Sequence, residues 1–160
     1  MKALIVCSSK SHGNTRRIAD RMAQVLDCEV IAPEVADPAT LGGYDLVGFG
    51  SGIYYMAVDA RLRSLIRHVP GVHQVRAFTF FTSGAREIPL MGYRKPVRKM
   101  LEAKGFDVIG SFSSRGWDTV GPFGFIGGIN RDRPNEHDLD RAAAFAARLR
   151  TQVESSRAAG

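Results

Sequence analysis

KALIVC at Lys2–Cys7, SSKSHGNT at Ser8–Thr15 and RRIADRMAQVL at Arg16–Leu26 form the stretch on which the fold turns. The first run is short, apolar and β-branched, as a strand buried in a sheet requires. The second is rich in hydroxyls and closes on a glycine and an asparagine, so it reads as a loop. From Asn14 or Thr15 onward Ile18, Met22, Val25 and Leu26 recur at helical spacing, the stripe of an amphipathic helix. The unit is strand, polar loop, helix.

The same alternation continues along the chain. Cys28–Ala32 reads as a second strand, Tyr44–Gly50 as a third, Val75–Thr82 as a fourth and Phe106–Ser113 as a fifth. Between them, Leu62, Leu65, Ile66 and Val69 mark a helix closed by Pro70-Gly71, and Tyr93, Val97, Met100 and Leu101 mark another that stops at Gly105. Asn135 is placed to cap a last helix whose core face is Leu139, Ala142, Ala143, Ala146 and Leu149. Short strands alternating with helices imply right-handed βαβ crossovers and helices on both faces of a parallel sheet. The expectation is one doubly wound, five-stranded α/β domain over residues 1–160, frayed from about Glu154.

In such a sheet the strand-to-helix loops lie on one side, and ligands bind there where the strand order reverses. The first loop runs directly into a helix N-terminus, whose unpaired N–H groups and positive dipole end suit a phosphate. Two common nucleotide motifs are nevertheless absent. No Gly-Lys pair exists for a Walker A loop, and Gly48-Phe49-Gly50-Ser51-Gly52-Ile53 breaks the dinucleotide spacing. The loops hold no evident nucleophile–base pair for hydrolase or transferase chemistry.

The Ser-rich loop ending Gly13-Asn14-Thr15, with glycine-bearing loops after the third and fourth strands, resembles the flavodoxin family over nearly the whole chain. The resemblance implies a strand order of 2-1-3-4-5 and an FMN cofactor. It assigns Ser9, Ser11, His12, Gly13, Asn14 and Thr15 to the phosphate. Ser51, Gly52, Ile53 and Tyr54 fall to one side of the flavin ring, and Thr82, Ser83, Gly84 and Ala85 to the other. At Gly52 the family turns a peptide toward the flavin, which implies a positive φ there. The implied function is electron transfer between a reductase and an acceptor, with no catalytic side chain of its own. A small FMN-dependent oxidoreductase acting on a quinone or a porphyrinogen is the alternative, and a non-redox binding module a further one.

Charge sets this chain apart from that family's acidic carriers. Lys plus Arg total 22 against 16 Asp plus Glu, for a net +6. A positive field favours anionic partners, so redox partner proteins of acidic character are expected. Nucleic acid is not, since no recognition motif or interleaving of aromatic and basic residues accompanies the charge. Arg86 and Arg115 are expected on the ligand side of the sheet. Arg115–Pro134, with five glycines among large apolar residues, exceeds the ~12–15 residues of an ordinary loop. Its expected uses are folding over the flavin, forming a homodimer or docking a partner, with plain cover of the sheet edge as the structural alternative.

No apolar run approaches the ~18 residues of a membrane span. The N-terminus lacks the apolar stretch of a signal peptide, so the expected location is the cytoplasm. The four histidines are too dispersed for a metal triad. Cys7 and Cys28 are expected at opposite ends of adjacent strands, so no disulfide is expected between them.

Overall fold

Every second residue of an extended chain points to the same face, and a strand covered on both sides needs apolar side chains at consecutive positions. β1 (Ala3–Ser8) meets that demand in the computed structural model, which describes residues 1–10, 13–54, 57–83, 92–115 and 133–158. α1 (Asn14–Leu26) and β2 (Glu29–Ile31) follow, then a 3₁₀ turn (Pro38–Gly43), β3 (Leu46–Tyr54) and the two-residue β4 (Ala57–Val58). α2 (Ala60–His68), β5 (Arg76–Ser83), α3 (Arg94–Glu102), β6 (Asp107–Arg115) and α4 (Glu136–Ala158) complete the order.

The parallel path runs β2-β1-β3-β5-β6, with β4 pairing antiparallel to the end of β3 beside it. Leaving β4 out, this is the expected order 2-1-3-4-5. β4 shifts the numbering because the third strand runs four residues past its expected end at Gly50. Ser51 still pairs with Ser8 and Phe81, and Gly52 with Thr82, before Ile53 and Tyr54 turn back onto Val58 and Ala57.

The two faces hold separate cores. Leu4 and Val6 of β1, Val47 and Phe49 of β3 and Phe81 of β5 pack under Leu62, Leu65 and Ile66 of α2 and Val97 and Leu101 of α3. Ile5, Phe78, Phe80 and Phe112 pack under Ile18, Met22 and Leu26 of α1 and Phe145, Leu149 and Val153 of α4. α4 continues past the point expected to fray because Val153 is buried and Arg157 pairs with Asp45 at 3.0 Å.

Glycines in β3 have a packing role that the sequence pattern concealed. Gly48 stands opposite Phe78 and Gly50 opposite Phe80, and each phenyl ring lies over its glycine where a Cβ would otherwise project. The Gly-Phe-Gly run is therefore space reserved for two aromatic rings of the neighbouring strand.

The helix ends obey their capping signals. The Asp59 carboxylate accepts from Arg61 N at 2.9 Å at the start of α2. Before α4, Asn135 Oδ1 accepts from Asp138 N at 3.1 Å while Asp138 Oδ2 accepts from Asn135 N at 3.0 Å, a reciprocal cap. Both cysteines are free thiols, Cys7 buried and Cys28 partly so. Burial pushes them up to about 12 and about 11, so neither is a nucleophilic thiolate near neutral pH.

Candidate functional site

The C-terminal ends of β1, β3 and β5 lie side by side, and three local features knit them. At the first, Gly13 takes a left-handed φ of 67° and caps α1, its N–H donating to Lys10 O at 3.3 Å. The Ser9 hydroxyl accepts from Arg16 N at 3.3 Å and so caps the first turn from across the loop. That turn has no acidic residue, so nothing within it offsets the positive end of the dipole. A Cβ at Gly13 would meet no atom within 4 Å, which leaves open space above the turn. Left-handed glycine, serine hydroxyl and open helix N-terminus fit a phosphate-sized anion.

At the second, Thr15 of α1 and Thr82 of β5 are buried with their hydroxyls 2.7 Å apart. This puts the start of α1 and the end of the fourth parallel strand in direct contact. Ser83 ends β5 opposite Arg115 of β6, so Arg115 lies at the expected end of the sheet. Asn14 opens α1.

The third feature lies between β3 and α2. Tyr54 folds back over Gly52, its Oη lying 2.6 Å from where a Gly52 Cβ would stand. Its hydroxyl accepts from Lys10 N at 3.0 Å. Burial raises this phenol, which therefore stays neutral. Gly52 is a strand residue without the positive φ expected of it, and the room it leaves is used by Tyr54. Ser51 turns inward, donating to Gly52 O at 2.6 Å and accepting from Asp59 N at 3.0 Å. Ile53 packs against the α2–α3 core. Of the residues assigned to this side, Tyr54 is half-buried beside Lys10, Gly52 is buried beneath its ring, Ser51 is buried, and Ile53 is half-buried against the core. Ser11, His12, Gly84, Ala85, Arg86 and most of the 115–134 segment lie outside the described residues.

Three residues were missed by sequence reading. Asp59, whose side chain is 1% exposed, binds Lys10 Nζ at 2.9 Å and Arg61 Nε at 3.0 Å. Arg61 also contacts Glu34 and donates to Ser8 Oγ at 3.0 Å. Burial alone would raise the Asp59 carboxyl, yet hydrogen bonds from Arg61 and Lys10 outweigh it and hold it well below the usual carboxylate range. The available signal was an aspartate just ahead of the apolar-periodic ARLRSLI run, a cap pattern. Its partner Lys10 is too distant in sequence to be inferred.

Among the described residues no group of His, Cys, Asp and Glu could hold a metal, and no helix is long and apolar enough to cross a membrane. A cavity of about 600 Å³ between Asp45, Gln74, Arg76, Asp107 and Arg157 lies at the opposite, N-terminal end of the strands. It has no part in the loop cleft.

The flavodoxin domain family matches residues 4–107. An uncharacterized protein of Methanocaldococcus jannaschii is 36% identical over 146 residues, covering 91% of this chain and 96% of that protein. Among solved structures, a flavodoxin from the domain Archaea superposes with a TM-score of 0.70 at 15% identity, over 96% of this chain and 99% of that one. A Streptococcus pneumoniae flavodoxin gives 0.71 at 15%, over 94% and 98%. At such identities the structural likeness concerns the fold.

Proposed function

Because this chain belongs to the flavodoxin family, we propose that it binds FMN at the loop cleft and carries electrons between a reductase and an acceptor. The observation that carries this reading is the αL Gly13 turn with Ser9, joined by Thr15–Thr82 to the end of β5. When bound, the flavin supplies the redox chemistry. Ser9, Gly13, Asn14 and Thr15 would hold its phosphate, while Gly52, Tyr54, Thr82 and Ser83 would border its ring. The chain's part is to bind and orient the cofactor and to set the charge around it.

The visible spectrum of the purified, desalted protein, before and after added FMN, tests the reading. Flavin absorption bands retained through desalting are expected. A protein that stays colourless and takes up no FMN is instead a non-redox member of the fold. Turnover of a quinone by NAD(P)H with this protein alone would mark an oxidoreductase, because a carrier needs a separate reductase.

Acidic partners are supported by a groove of about 330 Å³ at the outer side of β6, lined by Arg94, Arg141 and Arg148 with Ser111, Ser113, Phe112 and Phe145. Arg141 and Arg148 lie over the Phe112 and Phe145 rings at 5.6 and 5.9 Å, which orients their guanidinium groups beside the groove. A carboxylate-bearing partner surface complements this patch.

The positive charge has a second expected outcome. Reduction adds negative charge to a flavin, and a basic surround favours the reduced form. The midpoint potential of bound FMN should therefore lie above that of an acidic flavodoxin, with the difference shrinking as salt shortens the Debye length from ~10 Å at 0.1 M. Redox titration at two ionic strengths checks both points. A potential as low as that of the acidic carriers at low salt contradicts the expectation.

A further inference from the structure

The Lys10–Asp59 pair has no part in the phosphate and ring assignments, yet it joins the loops that carry them. Lys10 lies between Ser9 and the Gly13 turn, and both its side chain and its backbone are held. Its ammonium meets the buried Asp59 carboxylate at 2.9 Å, and its backbone N–H donates to Tyr54 Oη at 3.0 Å. Its carbonyl in turn accepts from Gly13 N at 3.3 Å, so the position of Lys10 sets the turn that presents the α1 N-terminus. Asp59 itself is immobilised by Ser51 Oγ on its N–H and by Arg61 on its carboxylate. Arg61 closes the other side by donating to Ser8 Oγ at 3.0 Å.

We propose that Asp59, acting through Lys10, is a positioning residue that holds the phosphate loop in its anion-binding shape and so determines preference for FMN over riboflavin, which lacks the phosphate. The proposal rests on the FMN reading above. The physical basis is preorganisation. Fixing a residue's backbone costs conformational entropy, and a loop ordered beforehand spares that cost at binding. Released from Asp59, Lys10 and the Gly13 turn would have to be ordered by the phosphate itself.

Simple electrostatics and positioning predict opposite signs for Asp59→Asn. The substitution removes a negative charge near the loop, so a charge effect alone would tighten binding of a phosphate dianion. Loss of the clasp weakens it, on the order of tenfold for one residue's ordering. Asparagine is as good an N-cap as aspartate, so α2 keeps its start.

The experiment titrates FMN and riboflavin, by quenching of flavin fluorescence, into the unaltered chain, Asp59→Asn, Lys10→Met and the double variant. FMN is expected to weaken about tenfold in each single variant and no further in the double, with riboflavin within twofold of the unaltered chain. Tighter or unchanged FMN binding by Asp59→Asn overturns the proposal, as does a parallel loss of riboflavin, which would mark a merely structural role. Amide hydrogen exchange at Lys10 and Gly13 in flavin-free protein gives a separate readout, expected to speed up in Asp59→Asn. Unchanged exchange overturns the clasp on its own, whereas an unaltered chain that binds neither flavin overturns the FMN reading.

Discussion

Gly105→Ala is expected to destabilise the protein by about 3 kcal/mol or more. Two costs combine. Gly105 has a φ of 89°, a conformation that costs an L-residue roughly 1–2 kcal/mol. The added Cβ would also land on the Val72 carbonyl oxygen, a backbone atom that cannot rotate away. Around it, Gly105 N donates to Glu102 O at 2.9 Å and Phe106 N to Leu101 O at 3.2 Å, the paired bonds that close a helix on a left-handed residue. Phe106 enters the α2–α3 core beside Leu101, so moving the turn moves the core and the start of β6. Thermal unfolding followed by circular dichroism should show Tm lowered by roughly 10 °C. A shift within two degrees would mean that the turn relaxes without strain.

Gly50→Ala is the second large effect, through crowding instead of backbone strain. The new methyl would lie inside the Phe80 ring, 2.6 Å from Cε1 and nearer still to two other ring atoms. Phe80 is fully buried and stacks on Phe78 at 6.0 Å between centroids, so the ring can yield only by displacing its neighbours. Overpacking of this kind costs ~1–3 kcal/mol. The diagnostic is the double variant. Gly50→Ala with Phe80→Leu should recover part of the loss, giving a favourable coupling when both single variants and the pair are compared by urea unfolding. Strict additivity would show that ring and glycine are not sharing one space.

These two glycines also show what was legible in the sequence. Gly105 was readable because the end of an amphipathic stripe followed by glycine is a local signal with a single common meaning. Gly50 was not. Its neighbour Phe80 lies on another strand, and only the β3–β5 register brings them together. The strand–loop–helix order was recoverable for the same reason as Gly105, since periodicity is local. The residues Ser51–Tyr54 were read as loop because a glycine-rich segment after an apolar run usually ends a strand. Here pairing with β5 and the short return through β4 extends it. The clasp of Lys10, Asp59 and Arg61 is tertiary throughout, and sequence offered a cap at Asp59 but no partner. The hydroxyls of Thr15 and Thr82 fell into the reading separately, one by each loop, without any sign that they touch.

That last contact has a consequence for hydrogen counting. Each threonine owns one hydroxyl hydrogen, and a single hydrogen suffices to join two oxygens 2.7 Å apart. The pair therefore always has one hydrogen to spare. Whichever threonine accepts from the other keeps its own hydrogen for a third atom, so an acceptor arriving beside either residue decides the direction in which the bond between α1 and β5 runs.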